Sequence, residues 1–168
     1  MALRFLRRGD RRFCRTSDLR TRFQPGPLLE IDGEEFTDPA TLDQGGSAAL
    51  GTYRMRHVCF HRRGHDLDIY YSNVGDLPER IKRTTIDLRK DWREWRGTRF
   101  EEVMRPEMDY EGANEPAVRS VGGSKHQPVH ELRDPCVYEE DGRVYLLYSV
   151  AGEQGIGLAE VAGSISAE

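Results

Sequence analysis

Arg133-Asp134 and Arg56-His57 are two places where this 168-residue chain sets a proton-moving group beside a fixed cation. A carboxylate flanked by a guanidinium is held ionised and can orient a polar ligand through charge-assisted hydrogen bonds. An imidazole beside it can likewise contact a polar ligand. The two pairs also occupy equivalent places in a repeat. Residues 56–76 and 133–153 align without a gap at an offset of 77 (133 minus 56). Arg56 falls on Arg133, His57 on Asp134, Cys59 on Cys136, Tyr71-Ser72 on Tyr148-Ser149, and Gly75-Asp76 on Gly152-Glu153. A half-buried sheet unit cannot cover its own apolar face, and repeat folds meet this by stacking like on like. Positions where the copies differ become candidates for function, and His57 against Asp134 is the difference of most chemical consequence.

The second copy is the plainer one. Pro135 to Tyr138 is apolar, Glu140-Asp141-Gly142-Arg143 carries the Asp-Gly hairpin signal, and Val144 to Val150 is rich in β-branched and aromatic residues. With a further run at 155–161 this is an antiparallel three-strand meander. The first copy repeats it through Val58-Cys59-Phe60, a turn at Arg63-Gly64 and a strand from Leu67 to Ser72, then adds strands over 80–88 and 99–104. A fainter copy opens the chain, where residues 5–10 echo 60–65. The expected fold class is all-β. Four short antiparallel strands in about 50 residues fit a β-propeller blade, whose sheets surround a central channel. The expected organisation is one incomplete propeller over 1–168, with a partial blade and loop at 1–50, a blade at 51–105, a channel-face loop at 106–131 and a final blade at 132–163. Two and a half blades do not close a ring, so the chain reads as the carboxyl-terminal part of a longer protein.

The stretch Leu132-Arg133-Asp134-Pro135-Cys136-Val137-Tyr138, followed by Asp141-Gly142-Arg143-Val144-Tyr145-Leu146-Leu147-Tyr148-Ser149, resembles the Arg-Asp-Pro blade of the five-bladed β-propeller glycosidases. That superfamily includes invertases, arabinanases and xylosidases. Met55-Arg56-His57-Val58 and Gly75-Asp76-Leu77-Pro78-Glu79-Arg80-Ile81 resemble the preceding blade of an uncharacterised branch, and the likeness covers roughly residues 50–162. The resemblance implies hydrolysis of O-glycosyl bonds at a site in the channel, with one carboxylate as nucleophile or base and another as general acid. The aspartate of the Arg-Asp-Pro motif, here Asp134, would orient the sugar or stabilise the transition state. The first-blade aspartate of the family would lie upstream of Met1.

Glycoside cleavage needs two carboxyl groups flanking the bond, about 5 Å apart for retention or 6.5–9.5 Å for inversion. The long loop leading to Asp134 offers Glu115 and Glu111 as candidates for the acid, and Glu115 is taken with Asp134 as the catalytic pair. Arg133, His57, Arg56 and Glu79 are expected on the substrate side. The competing structural readings are an Arg133-Asp134 pair that ties blades together and an inter-blade ion pair of Glu79 with Arg80. A non-catalytic propeller that binds a glycan or a protein is the rival reading, and a glycoside phosphorylase is a third.

Several other patterns carry less. His57-x-Cys59-x-His61-x-x-x-His65 has zinc-ligand residue types, but the second copy could not repeat the site and Cys59 suits a core position, so neither a metal nor another cofactor is expected. Gly152-x-x-Gly155-x-Gly157 has no helix after it to bind a phosphate. Trp92 and Trp95 are read as packing at a blade's outer edge rather than as a sugar platform. Composition bounds the rest: 37% hydrophobic and 32% charged residues, with a net charge of -4, describe an ordinary soluble chain without a nucleic-acid footprint. Arg4 to Arg22 concentrate positive charge near the amino terminus, yet no apolar segment follows that would make a targeting signal. Three cysteines without a CxxC pair favour a reducing, cytoplasmic compartment, with Cys59 and Cys136 both as small buried apolar groups. No apolar run reaches membrane-spanning length. The partner expected is a carbohydrate.

Overall fold

The computed structural model describes residues 2–7, 10–38 and 53–162. Among them the chain is all-β, in three antiparallel sheets with no α-helix. The first sheet orders β1 (Ala2–Arg7), β2 (Asp10–Thr16) and β3 (Gln24–Leu28). The second orders β4 (Arg54–Arg63), β5 (Asp66–Val74), β6 (Ile81–Asp87) and β7 (Glu101–Met104). The third orders β8 (Arg133–Glu140), β9 (Arg143–Val150) and β10 (Gly155–Glu160). The meander expected of the second copy and the four strands expected at 51–105 are therefore present. The opening segment also forms a sheet, and residues 8–9 and 39–52 lie outside the described residues.

The repeat holds at the level of register. Cys59 pairs with Tyr70 as Cys136 pairs with Leu147, and Arg63 with Asp66 as Glu140 with Arg143. Both hairpins turn in two residues, and the first turn position has positive φ in each, Gly64 at 58° and Asp141 at 50°. Both copies also carry a register irregularity near the start of the first strand, between Met55 and Val58 and between Arg133 and Cys136.

Alternation along β5 explains how the sheets stack. Leu67, Ile69 and Tyr71 face one way, into a core shared with Phe13 of β2 and Leu29, while Tyr70 faces the other, into a core shared with Leu146, Tyr148 and Val150 of β9. The second sheet is thus covered on both faces, and the stacking is directional. The face of the third sheet that packs inward, Leu146 and Tyr148, is the repeat equivalent of the Ile69 and Tyr71 face that the second sheet turns toward the first.

It follows that the outer face of the third sheet is equivalent to the covered Tyr70 face of the second. No described sheet lies on it, and Tyr138, Ile156 and Leu158 are exposed there. This corrects the expectation for the cysteines: Cys59 is half-buried and packs against the core beneath the third sheet, whereas its equivalent Cys136 is exposed. Trp92 and Trp95 are buried in the first core as expected of packing residues, with Trp95 edge-on to Phe13 at 5.5 Å between ring centres. Gly157 is likewise a packing residue, since a Cβ there would lie 2.5 Å from the Tyr148 ring. No helix among the described residues is long and apolar enough to cross a membrane.

Candidate functional site

The two irregularities lie at the same end of the sheets, and β4 packs against β8. A bulge bends its strand and re-aims the side chains it carries. Here it turns His57 and Asp134 toward each other, and His57 Nδ1 meets Asp134 Oδ1 in direct contact. Both side chains are partly open to solvent, 40% for His57 and 27% for Asp134. Ser149 Oγ donates to the other carboxylate oxygen of Asp134 at 3.3 Å. Asp134 has φ 51°, a left-handed conformation that costs a non-glycine residue roughly 1–2 kcal/mol. Such strain persists where surrounding structure over-determines it, and functional sites are where it collects.

The chemistry open to this pair is proton transfer. With Nδ1–H donated to Asp134, the imidazole keeps an Nε2 lone pair able to accept a proton, and the carboxylate stabilises the imidazolium that results. The serine is on the wrong side for a nucleophilic triad, because it bonds the carboxylate and not the imidazole.

Beneath the pair lies a buried ionic layer that the sequence did not announce. Arg56 and Arg133, the residues preceding His57 and Asp134, are buried, and both reach the same oxygen of Glu79: Arg56 Nη1 at 3.4 Å and Arg133 Nε at 3.6 Å. Ser72 Oγ donates to the second oxygen of Glu79 at 2.8 Å. Arg133 also pairs with Glu131, with Glu153 at 3.1 Å, and donates to the Gly123 carbonyl at 3.1 Å. Two guanidiniums are thus shared among three carboxylates, in a layer whose only partly exposed member is Glu153. Burial pushes the Glu79 carboxyl up to about 7, against the opposing pull of Arg56, Arg133 and Ser72.

This departs from the expectation that Arg133, Arg56 and Glu79 contact substrate. All three are shut away from solvent in the described chain, and their charges are spent on one another across the second and third sheets. The tie between sheets exists, but Glu79 makes it with the two arginines and not with Arg80, which pairs with Glu102 at 2.8 Å and more distantly with Asp76. Arg133 directs its guanidinium away from Asp134, into the layer below.

The loop at 106–131 crosses this same end. It bonds the Gly75-Asp76 turn through Ser120 and Arg119, and the equivalent Ala151-Gly152 turn through Glu111, Val129 and Glu131. Glu111 is an organiser of the loop: its carboxylate accepts from the backbone N–H groups of Glu107 and Met108 and from Tyr148 Oη, at 2.8, 3.1 and 2.8 Å. Glu115 is half-buried, and among the described residues it bonds through its backbone alone, its carbonyl oxygen lying 3.0 Å from His130 Nδ1. The structure brings His57 and Asp134 together and adds Ser149; it does not bond Glu115 to either.

A second buried polar cluster sits on the opposite face of the second sheet. Lys82 Nζ donates to Glu34, Asp76 and Tyr53 Oη at 3.1, 3.0 and 2.8 Å, and Tyr71 Oη and Asn73 donate to the same oxygen of Glu34. Desolvation raises the Tyr53 and Tyr71 phenols and the Asp76 carboxyl above their ordinary values. These bonds join Glu34 and Tyr53 to Tyr71, Asn73, Asp76 and Lys82, so the cluster docks the 30–38 segment and Tyr53 onto the sheet. The histidine and cysteine run diverges in the same structural way. His57 pairs with Asp134, His61 lies 3.5 Å from Glu139, and Cys59 packs in the core with its thiol pushed up to about 12 by burial.

No protein-family model matches the chain, and no solved structure matches it. An uncharacterized protein of Acanthamoeba polyphaga mimivirus is 43% identical to it over 125 residues, a stretch covering 74% of this chain and 34% of the viral protein. The chain thus spans about a third of the length of that curated relative.

Proposed function

We propose that the chain forms blades of a five-bladed, glycosidase-like β-propeller and that the intact protein hydrolyses O-glycosyl bonds at a channel mouth lined by His57 and Asp134. The observation that carries this reading is the convergence of those two side chains from equivalent bulges of two sheets stacked in the same sense. Directional stacking of like sheets about an axis is how blades assemble, and it brings the starts of the inner strands to one rim. The viral relative has room for further sheets, since the matched stretch is 34% of its length.

In this reading Asp134 orients the sugar by charge-assisted hydrogen bonds and His57 contacts it from the neighbouring blade. A carboxylate from a further blade attacks or activates water, and Glu115 on the covering loop supplies the acid. A binding function without catalysis is the second reading. It is favoured by the fact that, among the described residues, Asp134 alone of the carboxylates is bonded to His57, where hydrolysis requires two.

The two are separated by assaying the intact protein against a panel of aryl glycosides and oligosaccharides, beside its Asp134→Ala variant. Hydrolysis that collapses on this substitution supports the enzyme. Hydrolysis indifferent to it removes Asp134 from the mechanism, and glycan binding without turnover supports the second reading.

A further inference from the structure

We infer that Glu79 is a positioning residue, which sets the His57–Asp134 contact by gripping the residue before each of them with one carboxylate. The inference rests on the reading above only for what the pair does, not for how it is held.

Three features of the geometry converge on Glu79. One oxygen, Oε2, faces both Arg56 and Arg133, so it spans the second and third sheets directly below the bulges. The other oxygen accepts from Ser72, which lies on β5 opposite the bulge that carries His57. The backbone of Glu79 makes the third tie: its carbonyl accepts from Leu132 N at 3.0 Å, two residues before Asp134, and it bridges in parallel with Glu131. A shift of Glu79 therefore moves the starts of β4 and β8 together.

The repeat singles out the same residue. Arg56, Ser72 and Asp76 each have a polar counterpart in Arg133, Ser149 and Glu153, but the register, with Lys82 opposite Tyr71 as Gly157 is opposite Tyr148, sets the uncharged and exposed Gln154 at the position of Glu79. Glu79 breaks the symmetry at the one junction where two copies meet. Burying a carboxylate among two arginines and two further carboxylates, Glu131 and Glu153, is a poor way to gain stability. What it supplies is a fixed distance between two cations.

The readout is the tautomer of neutral His57, followed by imidazole nitrogen shifts in the 168-residue chain at about pH 9, above the ordinary histidine range. A free imidazole favours Nε2–H, whereas donation to Asp134 selects Nδ1–H. Asp134→Ala identifies the unpaired ratio. Glu79→Gln removes the charge, and Glu79→Asp keeps the charge but shortens the reach. Both are expected to lower the Nδ1–H to Nε2–H ratio by about fivefold or more, the scale of a hydrogen bond to a charged group. Glu131→Gln removes an equally buried carboxylate that grips Arg133 alone, and is expected to leave the ratio within about twofold.

A wild-type ratio in folded Glu79→Asp overturns the inference, as does an equal loss in Glu131→Gln. Should the Glu79 variants fail to fold, Ser72→Ala carries the test, since it frees one Glu79 oxygen without touching a charge. A lowered ratio there supports the grip, and an unchanged one counts against it. No substrate enters the measurement, so a tautomer that follows Glu79 in a protein without glycosidase activity would leave the positioning role standing and remove only the sugar chemistry.

Discussion

Replacing Lys82 by methionine should expose how much of this fold depends on a single buried cation. The ammonium has no solvent exposure and is held by Glu34 and Asp76, whose side chains are 1% and 4% exposed, with Tyr53 Oη as its third partner. Methionine fills nearly the same volume, so cavity formation is a minor part of the effect. What remains is a pair of buried carboxylates that have lost their shared cation, with Arg80 at 4.0 Å from Asp76 as a more distant one. Removing one partner of a buried pair costs about 3–5 kcal/mol. A domain of this size is stable by roughly 8–15 kcal/mol, so the variant should still fold. With a urea slope of about 2–3 kcal/mol per molar, the unfolding midpoint should drop by about 1–2 M, followed by fluorescence of the buried Trp92 and Trp95.

The sign of the pH dependence is fixed by Asp76, whose carboxyl burial already raises and Lys82 lowers. An acid with a raised folded-state pKa loses stability as pH climbs from its unfolded value through its folded one, and losing Lys82 raises that folded value further. The deficit should be largest near pH 8 and partly recovered near pH 5. A second substitution, Glu34→Gln, should return part of the loss by relieving the carboxylate pair. A deficit below about 1 kcal/mol, or one equal at both pH values, would refute the reasoning.

Three further outcomes are expected. Glu79, held at about 7 in the fold against an ordinary 4.5, should cost stability as pH rises between those values, by up to about 3 kcal/mol, so the advantage of wild type over Glu79→Gln shrinks across that window in denaturation curves. Gly157→Ala would place a methyl 2.5 Å from the Tyr148 ring and should lower stability by about 1–3 kcal/mol, read as a fall in Tm. Thiol labelling of the native chain should modify exposed Cys136 rapidly and leave buried Cys14 and half-buried Cys59 for the unfolded state, while in a protein with a further sheet on that face Cys136 should be protected as well.

The sheets were legible because their signals are local. Asp141-Gly142 demands the positive φ of a hairpin, and alternation in Asp68-Ile69-Tyr70-Tyr71 states which residues share a face. Register was legible through the repeat, since a gapless match of 21 residues cannot survive a slip that would turn every side chain over. The approach of His57 and Asp134 to one place was legible for the same reason, as equivalent positions of stacked copies, whereas their direct contact was not. The ionic layer was hidden because arginine and glutamate read as surface residues unless their partners are known, and Glu79 finds its partners 23 residues before it and beyond it across the third sheet. Lys82 is the sharper case. Its charge partner Glu34 lies 48 residues away in a segment without periodicity, and a lysine between Ile81 and Arg83 on a strand gives no sign of total burial.

Cys59 and Cys136 connect these observations to assembly. They hold the same register in the same hairpin, yet one is covered and the other exposed, so the difference lies outside the hairpin and in what is stacked on it. Sequence alone assigned both to a core because it sees the hairpin and not the neighbour. The polar rim follows the same rule. Arg56 and Arg133 are equivalent by repeat and nearly equivalent by environment, because Glu79 of the second sheet reaches across the junction to both. A junction needs one such bridge, and the third sheet, on whose outer face no described sheet lies, carries the uncharged Gln154 where the second carries Glu79. The chemistry at the rim is thus a property of the contact between two copies and not of either copy by itself.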